Sequence, residues 1–157
     1  MMEKDFLKAV DDHQRIIYKV SRMYRDTRED QEDLFQEIVF QLWKSFPTFR
    51  SESRISTWIY RIALNTSVAV FRRKTLVLEH RETIPDKFHP RENDEMSENE
   101  EKMYEALRKL DTAERAIISL FLEDYSYQEI AQITGISENY VGVKINRIKT
   151  KLKTILS

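Results

Sequence analysis

Between Gln31 and Lys74 the apolar residues recur with a helical period twice in succession, which restricts this stretch to a pair of packed helices. In the first arm they are Leu34, Phe35, Ile38, Val39, Leu42 and Trp43, one broad stripe on an α-helix. The opposite face carries Asp33, Gln36, Glu37 and Gln41. Pro47 ends that helix, because its ring removes a donor and clashes with the preceding turn. A second helix is predicted to start near Ser53, a good N-cap. Its stripe is Ile55, Trp58, Ile59, Ile62 and Ala63, with Val70 and Phe71 further on. The two stripes can pack on each other as an antiparallel pair.

The arms differ in charge. From Ser53 through Leu78 there is no acidic residue, but Arg54, Arg61, Arg72, Arg73 and Lys74 are present. The first arm and its approach carry Asp26, Glu29, Asp30, Glu32, Asp33 and Glu37. One basic and one acidic arm suggest two different partners, although an ordinary solvated helix pair would share the composition.

Only two glycines and three prolines occur, and charged residues make up 34%, which suits a helical protein with few turns. The absence of cysteine excludes disulfides and thiolate metal sites. No apolar run approaches the roughly 18 residues of a membrane span, so membrane insertion is not expected. The N-terminal MMEKDFLKAV is interrupted by Glu3, Lys4, Asp5 and Lys8 and has no continuous apolar run, unlike a signal peptide, and a cytoplasmic location is expected. The net charge of −1 hides an uneven distribution. Residues 1–78 carry +3, residues 79–105 carry −6 and residues 106–157 carry +2. Phosphate binding is local, so a basic patch matters more than the total.

Asp5 to Arg25 reads as one helix with Phe6, Val10, Ile17, Val20 and Tyr24 inside. Thr27 and Asp30 resemble a capping box for the next. The stretch 79–99 holds Pro85, Pro90, His80, His89 and many acids, and reads as a partly disordered linker or solvated tether. Capping-box pairs then recur at Ser97/Glu100, Asp111/Glu114 and Ser126/Glu129, and Ser137 caps a last helix running to about Leu156. Met103, Leu107, Leu110, Ile117, Leu120 and Phe121 are the expected inner residues of the first two. Four short helices follow one another with almost no loop.

Ala131, Gly135 and Val141 fall at the spacing of a helix-turn-helix. Small Ala131 lets two helices approach, Gly135 permits the positive φ of the turn, and Val141 anchors the second helix with Ile130, Ile136 and Ile145. The second helix is expected to lie in the major groove with its first residues at base edges. From Thr134 onward there are five basic residues and one acid. Lys144, Arg147, Lys149, Lys151 and Lys153 are expected at phosphates, though not all on one face. No glycine-rich phosphate loop, triad or paired-carboxylate arrangement stands out, and His13, His80 and His89 lack ligand spacing. No catalytic activity, cofactor or metal is expected.

The words DLFQE-x5-W, TWIYRIALN and RR resemble region 2 of a bacterial RNA polymerase sigma factor of the extracytoplasmic-function (ECF) group. ALRKL, ER-x-I, YSYQEIAQITGIS and Val141 resemble region 4 of that family. The resemblance implies an all-α protein of two small helical domains: region 2 over 1–78, an acidic linker over 79–99, and region 4 over 100–157. It implies core RNA polymerase as partner, the β′ clamp helices meeting Asp33, Gln36, Glu37 and Gln41 and the β flap meeting region 4. Promoter DNA is the second implied partner, and an anti-sigma factor is usual in the group. Asn65 and the loop Phe49 to Ser53, with Arg50 and Ser51, are carried over as the pocket for a flipped −10 base. Asn65 can donate and accept, although a local capping role would also suit it. Tyr60 lies about 160° around the helix from Trp58 and is expected to face nucleic acid, Trp58 the core. Arg61, Arg72, Arg73 and Lys74 are expected at phosphates. At the −35 element the expected set is Arg115, Tyr127, Ser137, Glu138, Asn139, Tyr140, Val143, Lys144 and Arg147.

The chain departs from the family in two places. A Thr-Val-Lys-Ser-Arg-like run in the recognition helix is here Tyr140 to Lys144, with Gly142 at a basic position and Val143 at a hydroxyl. Either the backbone approaches DNA closely at Gly142, or the helix is weaker there by roughly 1 kcal/mol. An aspartate common in the basic helix of region 2 is here Ala69. The competing reading is a stand-alone helix-turn-helix regulator that binds duplex DNA as a dimer. The acidic linker generates a prediction of its own. Its charge can screen the basic faces of the free protein within the ~8 Å Debye length. Replacing Glu92, Asp94, Glu95 and Glu98 with Gln and Asn should raise DNA binding by free protein, most at low salt. No gain on duplex or single-stranded probes at low salt would remove the screening mechanism.

Overall fold

The computed structural model describes residues 2–49, 54–72 and 97–157, the side chains at 2 and 70–72 excepted. Among them are eight α-helices, one 3-10 turn and no strand. The chain divides into two compact units, Met1–Asp94 and Glu95–Ser157, each with its own core.

In the first unit, α1 (Met2–Asp12) and α2 (Gln14–Tyr24) replace the single helix predicted over Asp5–Arg25. The break is at His13, whose φ of −123° and ψ of 18° leave the helical region. Side chains take over the orphaned carbonyls at the end of α1. His13 Nδ1 lies 2.9 Å from the Ala9 carbonyl oxygen. Gln14 Nε2 donates to the Asp11 side chain at 3.2 Å. Periodicity missed this one-residue break because Phe6, Val10, Ile17, Val20 and Tyr24 are all buried on either side of it.

Helix α3 (Arg28–Ser45) starts where Thr27 accepts the Asp30 N–H at 3.1 Å. Its core residues are Leu34, Phe35, Ile38, Val39 and Leu42. It tightens into a 3-10 turn over Phe46–Thr48 that contains Pro47. Helix α4 (Ile55–Arg72) opens with the Trp58 N–H donating to the Arg54 carbonyl at 3.1 Å. Ser53, the predicted cap, lies outside the described residues, as do most of the predicted linker and the side chains of Val70 and Phe71.

Helices α2, α3 and α4 pack pairwise against one another. Because α4 meets two helices, its buried arc is wide: Ile59, Tyr60, Ala63, Leu64, Thr66 and Ser67. Ser21 and Ser67 are small polar residues in this core, and each hydroxyl donates to its own i−4 carbonyl at 2.8 Å. Neither is therefore an unpaired buried donor. A chain of aromatic contacts closes the end of the bundle. The Phe6 ring lies 5.0 Å from Trp43 and 5.4 Å from Phe46, and Trp58 lies 6.1 Å from Phe46 and 5.0 Å from Phe49.

The second unit comprises α5 (Glu98–Arg108), α6 (Thr112–Leu122), α7 (Tyr127–Thr134) and α8 (Glu138–Leu156). The three capping boxes predicted in this unit form with both of their hydrogen bonds, whereas at Thr27 only the bond from the Asp30 N–H is seen. Ser137 caps α8 by accepting the Tyr140 N–H at 3.3 Å. The turn after α6 places Asp124 at φ 67°, with the Tyr125 N–H reaching the Leu120 carbonyl at 3.1 Å. Aspartate here does what glycine usually does at a helix C-terminus. Helix α8 is central: it packs on α5, α6 and α7 through Val141, Ile145, Ile148 and Leu152.

Gly135 closes α7 at φ 81° and ψ 8°, and its N–H donates to the Ala131 carbonyl at 2.8 Å. A Cβ added there would meet no atom within 4 Å. The requirement for glycine is thus conformational, not steric. Gly135→Ala should cost about 1–2 kcal/mol in chemical denaturation. Gly135→Asn should cost less, since asparagine tolerates this conformation; a larger loss for Asn than for Ala would show that space is limiting.

Candidate polymerase and nucleic-acid interfaces

On α3 the residues opposite the core stripe are polar. Asp33 is exposed, and Gln36, Glu37 and Gln41 are half-buried. Gln41 Nε2 donates to Glu37 Oε2 at 3.1 Å, one turn apart, which fixes part of this face as a hydrogen-bonding surface. Phe40 falls among these residues by helical angle, yet it is only 5% exposed, with the Lys44 ammonium 5.4 Å from its ring centroid. Sequence reasoning missed it, because an apolar residue outside the stripe carries no periodic signal.

Helix α4 presents Arg54, Trp58, Arg61 and Asn65 along one row, at intervals of three and four residues. Arg54, Arg61 and Asn65 are exposed. The expectation for the two aromatics is reversed. Tyr60, predicted to face nucleic acid, is 2% exposed and belongs to the core. Trp58, predicted to be core, is half-buried on the outward row two turns before Asn65, covered by Phe46 and Phe49. The cause is the second neighbour of α4. A helix packed on one partner would bury the Trp58 side of the stripe, whereas packing on α2 as well as α3 shifts the buried arc onto Tyr60 and Leu64. Phe49 is half-buried against Trp58. Arg50, Ser51, Arg73, Lys74 and the Arg72 side chain lie outside the described residues.

In the second unit α7, the Gly135 turn and α8 form a helix-turn-helix. Ile130, Val141 and Ile145 are fully buried at its centre, while Ala131 and Ile136 are half-buried. The outward row of α8, opposite Val141, Ile145 and Ile148, consists of Asn139, Val143, Asn146, Arg147 and Thr150, all exposed. Asn146 was absent from the predicted set. Tyr140 is 44% exposed and the Lys144 ammonium lies 5.7 Å from its ring centroid, so these two share a flank of the helix. Glu138 is exposed, and the Ser137 hydroxyl serves the N-cap.

Gly142 has a structural reason that neither earlier alternative named. A Cβ at this position would come 3.2 Å from a ring carbon of Tyr127, at the first turn of α7. The missing side chain leaves a seat for this ring, which remains 38% exposed.

Three of the basic residues expected at DNA have partners within the unit itself. Arg115 is 8% exposed. Its Nε donates to the Leu110 carbonyl at 3.0 Å and its Nη2 to the Arg108 carbonyl at 3.1 Å. It binds the end of α5, whose last carbonyls have no helical partner. Lys151 Nζ donates to Glu114 Oε2 at 2.6 Å, tying α8 to the start of α6. The same Glu114 accepts the Asp111 N–H at 3.1 Å, so one nearly buried carboxylate serves both cap and ion pair. The Lys149 ammonium sits 4.6 Å from the Phe121 ring centroid. Sequence alone could not separate these from Lys144 and Arg147, because all are basic residues near or on one helix.

No described helix is long and apolar enough to cross a membrane, and no described group of three or more His, Asp or Glu is placed to hold a metal. Residues 9–76 match the family described as Sigma-70 region 2, and residues 100–152 match Sigma-70, region 4. The RNA polymerase sigma factor SigV of Bacillus subtilis is 29% identical over 153 residues, covering 94% of this chain and 91% of that protein. The ECF RNA polymerase sigma-E factor of Haemophilus influenzae is 31% identical over 141 residues, covering 81% of this chain and 75% of that protein. Among solved structures, the sigma factor RpoE of Bartonella quintana, in complex with the anti-sigma factor NepR, has the same fold. Its TM-score is 0.71 at 19% identity, over 98% of this chain and 97% of that one. The chain belongs to the sigma-70 family and, within it, to the ECF group. It is a sigma factor that directs transcription initiation, not a stand-alone regulator.

The hydrogen bond from Lys151 to Glu114 holds the lysine above its usual pKa of 10.5. A raised folded-state pKa means the pair stabilises fully below 10.5 and its contribution is lost as pH rises through the raised value. Lys151→Met should lower the melting temperature at neutral pH, leaving Glu114 buried without its partner. The gap to wild type should narrow in melts above pH 10.5. A gap independent of pH would assign the loss to packing of the lysine stem.

Proposed function

We propose that the protein docks on the β′ clamp helices of core RNA polymerase through Asp33, Gln36, Glu37 and Gln41. The first unit then reads the −10 element. Asn65 takes an extruded base, with Trp58 and Phe49 beside it and Arg54 and Arg61 on the phosphates. The second unit reads the −35 element with the first turns of α8, where Asn139, Tyr140 and Val143 meet base edges and Lys144 and Arg147 meet phosphates, and it docks on the β flap. The protein acts in the cytoplasm, without chemistry of its own. An anti-sigma factor is a further proposed partner, in line with the complex known for the Bartonella quintana relative.

The observation that carries this reading is the presence of two outward rows in one chain. One contains Arg54, Arg61 and Asn65, the other Asn139, Val143 and Arg147, and each lies opposite a buried apolar face. A duplex-binding regulator needs only the second. Run-off transcription by core polymerase reconstituted with this protein, on a genomic library, tests it directly. Promoter-specific transcripts should appear; their absence, with binding to core intact, would remove the promoter-reading role. Glu37→Lys should weaken binding to core by roughly tenfold, since reversing one surface charge is worth about 1 kcal/mol or a little more. Helical content should not change. Unaltered affinity in titrations with core would take the polar face of α3 out of the interface.

A further inference from the structure

On α8 the buried residues Val141, Ile145, Ile148 and Leu152 define the inward face. At about 100° per residue, Val143 stands close to the opposite meridian. It is 44% exposed, one turn from Asn139 on one side and from Asn146 and Arg147 on the other. A β-branched apolar residue in this place favours neither the helix nor the free protein's core. Its immediate neighbour Gly142 offers no side chain to the groove, because that space is seated by the Tyr127 ring. The middle of the reading face is therefore apolar, although Lys144 and Arg147 keep its surroundings basic.

Such a side chain has no hydrogen bond to give to a base edge. In the major groove the one apolar feature that distinguishes a base is the C5-methyl of thymine. Asn139, one turn earlier, carries the amide that pairs bidentately with adenine N6 and N7. A basic residue at 142 or 143 would instead favour guanine, and neither position is basic. We infer that Val143 reads the 5-methyl group of a thymine in duplex DNA, making the base pair under the centre of α8 an A·T pair. This rests on the proposed role of α8 as the duplex reader and names the base class that it selects.

The test uses the holoenzyme reconstituted from core polymerase and the full chain. Upstream promoter sequence is first selected from a random duplex library. Each thymine in the selected element is then replaced singly by deoxyuridine, which lacks only the methyl group. At one position, affinity of the wild-type holoenzyme should fall about fourfold, the value of one buried methyl group. With Val143→Ser, thymine and uracil probes should bind equally at that position. A selected element without thymine, thymines all indifferent to uracil, or a uracil effect undiminished in Val143→Ser would each overturn the inference alone. A selection that returns no upstream preference would remove the duplex-reading role of α8, and the inference with it.

Discussion

The surface of the first unit depends on how α4 lies between α2 and α3. A helix in such a groove must bury an arc wider than one stripe, and α4 does so with Ile59, Tyr60, Ala63, Leu64 and Ser67. The polar side chains left outside are Arg54, Arg61 and Asn65, in one row. The same packing brings Trp58 to the edge, where Phe46 and Phe49 cover it. Phe46 is held in turn by Phe6 from α1. Exposed and buried side chains are thus selected by one rotation of one helix.

The second unit solves a different problem, that of turning sharply three times with few residues. Three capping boxes and a left-handed glycine satisfy the helix ends locally. Arg115 and the Glu114–Lys151 pair then use charged side chains to join those ends to one another. Basic residues in this unit accordingly divide by partner. Arg115, Lys149 and Lys151 engage a carbonyl, a ring or a carboxylate of another part of the unit, whereas Lys144 and Arg147 lie on or beside the outward row of α8. A count of positive charge overstates the phosphate-binding surface of a small helical domain.

Gly142 shows how a departure from a family's pattern can have its cause in a neighbour. Read alone, the glycine weakens a helix or admits DNA close to its backbone. In the fold it accommodates the Tyr127 ring, so the residues at two positions on two helices depend on each other. Positions 142 and 143 of α8 carry no basic side chain.

The fold class, the two helical domains, every helix in the second unit and its three capping boxes were legible in the sequence, because helix period and cap chemistry are local. So were the polar face of α3 and the outward placing of Asn139 and Val143, which follow from a helix with one buried side. Tyr60, Trp58, Phe40, Arg115 and Lys151 were not. An aromatic ring on a helix with two packed sides is compatible with either orientation until both neighbours are in place. An arginine or lysine has the same composition whether it meets a phosphate or a carbonyl of its own chain. Sequence alone determined what the helices are and where they end; the tertiary packing decided which side chains remained outside, because burial depends on partners distant along the chain.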